Sequence, residues 1–391
     1  MHAVIAYVTR FNPYIFPRPL FLKTAVNELE IYMLGRTRPL PLQSGWVLAS
    51  DRRRLDIKLF ELAKRTDLTK YIDSCVRQGE IYDGLSLLLE SYYTIFFRKL
   101  DTRNVVIKNL TGALGALRAG KRVVVDLMDY WHCNKPYVVF NSLDFYILRR
   151  ARCVIAWSKA IAGFMRRYLG RRCVAYLPFG VNLALADPLK VGNIFFERFP
   201  ELSSYVIVGY SGGGEPYHGI DTLMYAFSLL ERRRRDVFLV VQTWGGSDRI
   251  LMLIKRLGLK RVAVLPPAPV FNDPLRLSFL RASSVLVNTA SKVPGIYLAE
   301  RTTTYWYMSA GRPIVAEATP GVRGVLKHGL SALFVPLGDV KSLAKAIEEV
   351  IDDSSFARRL GDNARRLAEE EYNWGGKLGR RARVLFSSLF E

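Results

Sequence analysis

Short β-branched segments alternate with longer amphipathic segments along this chain of 391 residues, and the alternation occurs twice. Strands that alternate with helices form βαβ units with parallel sheets. The sequence therefore predicts an α/β protein with two Rossmann-like, doubly wound domains that face each other across a cleft. The predicted strands are Ala3–Val8, Val105–Lys108, Val123–Leu127, Val154–Trp157, Val174–Leu177, Val206–Tyr210, Phe238–Gln242, Val262–Leu265, Val285–Asn288, Ile314–Ala318 and Ala332–Val335. The predicted helices include Leu20–Leu34, Leu55–Arg77, Leu85–Phe97, Ile161–Leu169, Ile220–Glu231, Thr302–Ser309 and Ser342–Ile351.

A break in the pattern separates the two halves. Residues 181–204 show no clean periodicity, so we expect the connection between the domains there. We place the first domain at residues 1–185 and the second at residues 200–374, with a last helix at about 375–391 that packs back on the first domain. Ligands of doubly wound sheets bind outside the carboxyl ends of the strands.

The charge is strongly basic and unevenly distributed. The formal net charge is +22, and residues 1–200 carry 31 basic against 16 acidic side chains. Such a surface attracts polyanions: nucleic acid, anionic lipid or phosphorylated substrates. The sequence contains no nucleic-acid recognition motif. Positive charge is the only feature that favours nucleic acid, which is therefore an unlikely partner.

Other features exclude further classes. Half of the residues are apolar, which excludes a disordered chain. The longest stretch free of charged residues falls short of the roughly 20 apolar residues that cross a bilayer, and the first residues lack the order of a signal peptide. We therefore expect a cytoplasmic protein. Its four cysteines include no CxxC pair, which favours buried thiols over a metal or redox site.

Several segments of the second half resemble one known family. They read GYSGGGEPYHGIDTLMYAFSLL, YMSAGRPIVAEATPGVRG, GLSALFVPLGDVKSLAKAI and YNW. The first half adds VVVDLMDYW, ARCVIAWSKAI and YLPFGVNLALADP. Together, in this order and spacing, they resemble the retaining glycosyltransferases of family 4, which have the GT-B fold.

This resemblance implies the transfer of a sugar from a nucleotide-sugar donor to a saccharide or lipid-linked acceptor. The second domain would hold the donor and the first the acceptor. In the family, the leaving diphosphate takes the acceptor proton in a front-face reaction, so no protein nucleophile is needed. Carboxylates are sparse in these motifs, and we expect neither a metal nor a cofactor.

The resemblance also assigns donor-binding residues. A glycine turn before a helix suits a diphosphate, because backbone N–H groups bind anions there. The same turn can also be a tight connection without a ligand. At the start of Thr302–Ser309 we expect Thr302 or a neighbour to be the N-cap, with Arg301 near phosphate. The donor-binding candidates are Ser211, Gly212, Gly213, Gly214, His218, Pro269, Val270, Gly295, Ile296, Arg301, Thr302 and Thr303.

Five positions depart from the family pattern. His218 stands at the lysine position of the glycine turn, and the arginine position falls among the glycines. Trp306 and Leu298 replace the two glutamates of the E-x7-E pair, and Met128 replaces the histidine of the HD element. Asp129, His132 and Glu300 are then the candidate catalytic residues. Alternatively, Glu300 interacts only with the helix dipole and the His132–Asp129 pair is structural.

Three hypotheses account for these departures. The enzyme uses substitutes, with Arg301 for the lost charge, Glu300 for the sugar contact and His132 for the missing histidine. It uses an unusual donor. Or it is a catalytically inactive GT-B subunit that binds or scaffolds an active partner. For an active enzyme, the basic first half favours a protein bound peripherally to the anionic inner face of the cell membrane.

Overall fold

The computed structural model describes residues 4–9, 17–34, 57–60, 84–110, 112–128, 142–170 and 173–390. The chain divides into two compact units. The first comprises Met1–Pro178 together with Leu378–Glu391, and the second is Phe179–Lys377.

In the first unit, the described strands form one parallel sheet in the order β3-β2-β1-β4-β5-β6-β7. The strands are β1 (Ile5–Thr9), β2 (Leu29–Leu34), β3 (Ile57–Phe60), β4 (Asn104–Lys108), β5 (Arg122–Leu127), β6 (Cys153–Ala156) and β7 (Val174–Tyr176). The helices are α1 (Arg18–Ala25), α2 (Gly84–Lys99), α3 (Ala113–Arg118), α4 (Ser142–Arg150), α5 (Lys159–Leu169) and, from the C-terminal segment, α15 (Lys377–Phe390).

Two predicted helices of this unit are wrong. The predicted helix Leu20–Leu34 is instead α1 followed by β2. The apolar residues of LEIYML fit either period, and pairing with β1 selects the extended form. Within the predicted helix Leu55–Arg77, residues 57–60 form β3, and the remainder lies outside the described residues.

A buried ion pair lies at the centre of the first unit. The guanidinium of Arg18 donates from Nη2 to Asp126 Oδ1 at 3.1 Å, and both side chains are buried. The same carboxylate accepts hydrogen bonds from Tyr7 Oη at 2.6 Å and from Trp157 Nε1 at 2.7 Å. Because every lone pair of Asp126 faces a donor, the two buried charges compensate each other.

The same unit contains a disulfide bond between Cys153 and Cys173. This overturns the expectation of free thiols for this pair. Cys153 begins β6 and Cys173 directly precedes the neighbouring β7, so sheet pairing brings together two residues that are 20 positions apart. Sequence spacing alone gives no signal of this pairing.

In the second unit, six parallel strands have the order β10-β9-β8-β11-β12-β13. The strands are β8 (Val206–Gly212), β9 (Val237–Thr243), β10 (Val262–Leu265), β11 (Val285–Asn288), β12 (Ile314–Glu317) and β13 (Leu333–Val335). The helices are α6 (Ile194–Arg198), α7 (Ile220–Arg233), α8 (Ser247–Leu257), α9 (Pro274–Ala282), α10 (Pro294–Tyr297), α11 (Thr302–Ala310), α12 (Pro320–Val325), α13 (Val340–Asp352) and α14 (Ser354–Glu370). The strand order reverses between β8 and β11, where a doubly wound sheet opens a ligand crevice at its carboxyl edge.

The segment 181–204 belongs to the second unit and does not form a free connection between the units. The buried ring of Phe195, in α6, packs against Phe279 of α9, and Ser278 Oγ donates to Gly192 O at 2.9 Å. The irregular pattern of this segment reflects its short helical turns, which pack against α9. Within the described ranges, no helix is long and apolar enough to cross a bilayer.

Candidate functional site

The glycine run at the end of β8 lies at the carboxyl edge of the second sheet. Ser211 and Gly212 still pair with β9, and the backbone N–H of Gly214 donates to Gly245 O at 2.9 Å. The backbone N–H of Ser211 donates to Tyr307 Oη at 2.7 Å. The prediction of free amides is therefore wrong for Ser211 and Gly214, because strand pairing and a tyrosine hydroxyl use them.

The helix after this run, α7, does not begin directly at the glycines. A short 3-10 turn, Pro216–His218, stands between the run and α7. Gly219 is the N-cap of α7 with φ of 75°, and a Cβ there would collide with the backbone of Ala290. Only glycine meets both conditions.

His218 covers the glycine run and contacts Arg301. A Cβ at Gly213 would collide with the imidazole ring, and Arg301 Nη2 donates to His218 Nδ1 at 3.0 Å. The neutral ring therefore carries its proton on Nε2, which lies 3.6 Å from Glu215 Oε2. Burial and the charge of Arg301 lower the pKa of His218 from 6.5 to about 2. At neutral pH, His218 therefore contributes no positive charge at this place.

Arg301 provides the positive charge at this place. Its guanidinium is 8% exposed and donates to the backbone O of Thr289, to Asn288 Oδ1 at 3.5 Å and to His218. All three acceptors are neutral, and no ion pair of the described chain includes Arg301. The buried carboxylate of Glu317 interacts with Arg301 electrostatically but is not paired with it. Burying a cation without a paired carboxylate is costly, and an anionic ligand would offset that cost.

Helix α11 begins at Thr302, the predicted first residue. Arg301 is the N-cap and makes no side-chain cap bond, so Thr302 is the first helical residue. Thr303 is buried in the next position, and Thr304 Oγ1 accepts from Asn288 Nδ2 at 2.7 Å. The N-cap is thus Arg301, the neighbour of Thr302, which the prediction included.

The loop before α11 contains the other predicted backbone ligands. Gly295 and Ile296 belong to the short helix α10, where the backbone N–H of Ile296 donates to Val293 O at 2.9 Å. That amide already has a partner, contrary to the prediction. The exposed Pro269 and the half-buried Val270 follow β10 in a loop at the same edge.

Glu300 is buried and accepts a hydrogen bond from Tyr305 Oη at 2.7 Å. A Cβ at Gly324 would lie 2.8 Å from Glu300 Oε1, so the carboxylate sits closely against the backbone there. These contacts give Glu300 a place in the packing around α11. Its predicted contact with a sugar hydroxyl stays a prediction.

Two residues that the sequence did not indicate organise this edge. The buried Glu317 accepts backbone hydrogen bonds from Ala290 at 2.6 Å and Gly338 at 2.7 Å, and burial raises its pKa. It thereby ties together the loops after β11 and β13. Tyr307 fixes the end of β8 through Ser211, and burial raises the pKa of its hydroxyl. Since their partners are 21 to 96 positions away, the sequence offers no local signal for either role.

Asp129 and His132 lie outside the described residues. Among the residues that are described, no group of three or more His, Cys, Asp or Glu side chains could hold a metal ion. Trp306, at the position of the family's second glutamate, is buried in α11. The chemistry available at this edge is thus anion binding by Arg301 and by the backbone around α11.

Known proteins resemble this chain at two levels. Residues 194–367 match the family model "Glycosyl transferases group 1". A mannosyltransferase of Mycolicibacterium hassiacum, described as an MMP alpha-(1->4)-mannosyltransferase, is 29% identical over 194 residues, which is 48% of this chain and 44% of the relative. The matched segments span between 23% and 44% of the length of the curated relatives.

Solved structures share the fold over nearly the whole chain. HepE of Anabaena in complex with UDP-glucose has a TM-score of 0.71 at 16% identity, covering 99% of this chain and 100% of its own. Sucrose-phosphate synthase of Thermosynechococcus elongatus has a TM-score of 0.74 at 16% identity, covering 99% of each chain. The fold is that of the GT-B glycosyltransferases, as predicted. The match to the glycosyl transferases group 1 model lies entirely within the second unit.

Proposed function

We propose that this protein is a retaining glycosyltransferase of family 4 that transfers a sugar from a nucleotide-sugar to a saccharide or lipid-linked acceptor. The second unit holds the donor and the first unit holds the acceptor. The group 1 domain supports this, as do the transferase activities named for its relatives and the UDP-glucose bound to HepE.

The buried guanidinium of Arg301 carries the proposal. It lies beside the glycine run at the switch point of the sheet, and all of its hydrogen-bond acceptors are neutral. A donor diphosphate at this place would supply the missing negative charge. His218 stays neutral and orients Arg301 by accepting its N–H.

Charge stabilisation on the leaving diphosphate is then the main catalytic contribution of this unit. As the donor bond breaks, negative charge grows on the diphosphate, and Arg301 and the first turn of α11 with Thr302 and Thr303 stabilise it. The acceptor hydroxyl forms its bond to the anomeric carbon on the face from which the diphosphate leaves and gives its proton to the diphosphate, so the sugar keeps its configuration. Asp129 and His132 orient the acceptor, Glu300 contacts the sugar, and no metal takes part.

A donor screen tests this function. UDP-, GDP- and ADP-sugars are added to the protein, and melting temperature and donor hydrolysis are measured with and without EDTA. We expect one nucleotide to raise the melting temperature and to be hydrolysed in both conditions. Loss of hydrolysis with EDTA that Mg²⁺ restores would contradict metal independence. Proton NMR of the transferred sugar then reports retention or inversion.

A catalytically inactive subunit is the second candidate. It is favoured by Leu298 and Trp306, which replace both glutamates of the family pair, and by the neutral state of His218. If no nucleotide-sugar changes melting temperature or is hydrolysed, this candidate replaces the first.

The proposal includes an interaction of the first unit with anionic membrane lipid, and its basic surface supports this. In residues 142–170, all six basic side chains are exposed, and the one acidic residue, Asp144, is buried. Arg149 and Arg150 lie over the rings of Phe145 and Tyr146, so cations and aromatic rings share this surface. Exposed arginines near a bilayer contribute about 1 kcal/mol each.

Sedimentation with vesicles tests this interaction. Vesicles that contain phosphatidylserine should bind the protein at low salt and release it at high salt, whereas phosphatidylcholine vesicles should not bind it. Reversing Arg149 and Arg150 to Glu should weaken binding more than the same change at the exposed Arg232 and Arg233 of the second unit. An equal loss of vesicle binding in the two double variants would contradict a specific lipid contact at Arg149 and Arg150.

A further inference from the structure

Arg276 is a second buried cation at the carboxyl edge of the second sheet. It occupies the first turn of α9, after the loop that follows β10, and is 2% exposed. Its Nη1 donates to Phe271 O at 3.1 Å, and its Nε has no hydrogen-bond partner within the described chain. Burial lowers the pKa of this guanidinium to about 10, which leaves it charged at neutral pH.

No carboxylate forms an ion pair with Arg276 among the described residues. The nearest acid along the chain, Asp273, uses Oδ1 to accept the backbone N–H of Arg276 and caps the helix. A buried, unpaired guanidinium in a helix that needs no cation at its N-terminus requires an explanation outside helix stability.

Two indoles surround this cation. The guanidinium carbon lies 4.7 Å from the ring centroid of Trp306 and 5.4 Å from that of Trp244, both within cation–π distance. The two rings differ in exposure, since Trp306 is 4% exposed and Trp244 is 37% exposed. Trp306 is thus a buried support, and Trp244 presents an aromatic surface to solvent.

Trp244 directly follows β9, so this surface lies at the edge where doubly wound sheets bind ligands. Its backbone N–H donates to Gly212 O at 3.3 Å, which joins it to the glycine run beside Arg301. An exposed indole close to an anion site suits a ligand that joins a planar ring to a diphosphate. Nucleoside diphosphates have that composition.

We propose that Trp244 stacks on the base of the donor nucleotide, and that Arg276 is a positioning residue that holds the indole between base and protein. The proposal rests on the glycosyltransferase function, because the ligand is the nucleotide part of the donor. We call the exposed Trp244 indole, supported by Arg276, the platform. Aromatic stacking accepts any base, so the platform contributes affinity, while the loop around Pro269 and Val270 selects the base. The unpaired charge of Arg276 also raises the positive potential for the diphosphate.

Calorimetric titration of the full chain tests the platform. UDP, GDP and ADP are titrated into wild type, Trp244→Ala, Trp244→Phe and the control Leu251→Ala, and inorganic pyrophosphate is titrated in parallel. Leu251 is exposed on the neighbouring α8 and has no ring contact with Arg276. Because Trp244 is exposed, its substitution should leave the protein folded, which circular dichroism checks.

For the nucleotide that wild type binds, Trp244→Ala should weaken affinity by about 5- to 150-fold. Trp244→Phe should recover most of the loss, and pyrophosphate binding should change little. An Arg276→Lys variant should lie between wild type and Trp244→Ala, because lysine keeps the charge but not the planar contact.

Two results would overturn the platform, and they separate it from the function. If wild type binds a nucleotide and Trp244→Ala binds it equally well, the platform is wrong and the glycosyltransferase proposal stands. If wild type binds none of the three nucleotides while it remains folded, both proposals fail. Equal loss for pyrophosphate and nucleotide would assign Trp244 to the phosphate site and also contradict stacking.

Discussion

Each unit buries arginine in its interior, but the two units compensate that charge differently. In the first unit, Arg18 forms an ion pair with Asp126, which Tyr7 and Trp157 also bind. In the second unit, Arg276 and Arg301 form no ion pair among the described residues, and their hydrogen-bond and ring partners are neutral. Asp273 and Glu317 interact with them only at longer range. A compensated charge stabilises the fold by itself, whereas an uncompensated one lowers stability until an anion binds. The first arrangement is therefore structural, and the second fits the proposed donor site.

Breaking the compensated pair should have the largest effect. Asp126→Asn leaves Arg18 buried and unpaired, so we expect the free energy of unfolding of the first unit to fall by about 3–5 kcal/mol. Urea unfolding followed by circular dichroism measures this. As a control, Asp236→Asn removes a partner of Arg234 in an exposed pair and should cost about 1 kcal/mol or less. Equal effects would refute the contrast between the units.

Removing an uncompensated charge should reduce activity more than stability. For Arg301→Met, we expect kcat to fall roughly 10²- to 10³-fold, as for the loss of one group that stabilises transition-state charge. Lost bonds to neutral acceptors and relief of the buried charge oppose each other, so stability should change less than in Asp126→Asn. The exposed Arg256→Met is the matched control. A normal kcat in Arg301→Met would exclude its role at the diphosphate.

The disulfide distinguishes the units in a second way, since all four cysteines lie before residue 178. Cys153→Ala should destabilise the first unit by about 3 kcal/mol, the chain-entropy value for a loop of this length. The second unit should unfold as before. Thiol titration of the denatured, unreduced protein should count two free thiols, and four after reduction. Four thiols before reduction would contradict the bond.

The smallest expected effect is a pH dependence from His218. Its pKa is about 2 in the folded protein and near 6.5 when unfolded, so only the unfolded state takes up a proton between these values. Stability then increases with pH over this window and falls as pH drops below 6.5. Between pH 6.5 and 5.5, wild type should lose about 1 kcal/mol more than His218→Gln. Equal losses by urea unfolding would mean that the imidazole is not held neutral.

Local periodicity predicted most of this fold. Strands such as Val285–Asn288 match the predicted bounds, because buried parallel strands are short β-branched runs. β2 was missed because LEIYML also fits a helical period, and only the neighbouring β1 determines its form. Sequence indicates which residues favour a strand, but not which neighbour pairs with them.

The candidate site was predictable only as a region. The motifs located the loops around Ser211 and Arg301, but the use of individual amides depends on partners distant in sequence, such as Tyr307 for Ser211. Arg276 gave no signal because an arginine in a helix usually faces solvent. Two indoles cover its guanidinium, Trp244 from the loop after β9 and Trp306 from α11, and they are distant from it in sequence.

The two ends of the second unit are joined to each other. The backbone N–H of Val181 donates to Tyr372 O, that of Trp374 donates to Val181 O, and Trp374 Nε1 donates to Phe179 O, at 2.7 to 2.8 Å. The second unit is thus one continuous insertion, whereas the first unit needs Leu378–Glu391 to be complete. Because these hydrogen bonds join its two ends, the second unit is complete without Leu378–Glu391 and can fold as one domain. The second unit therefore has a route to its native state that does not depend on the first unit.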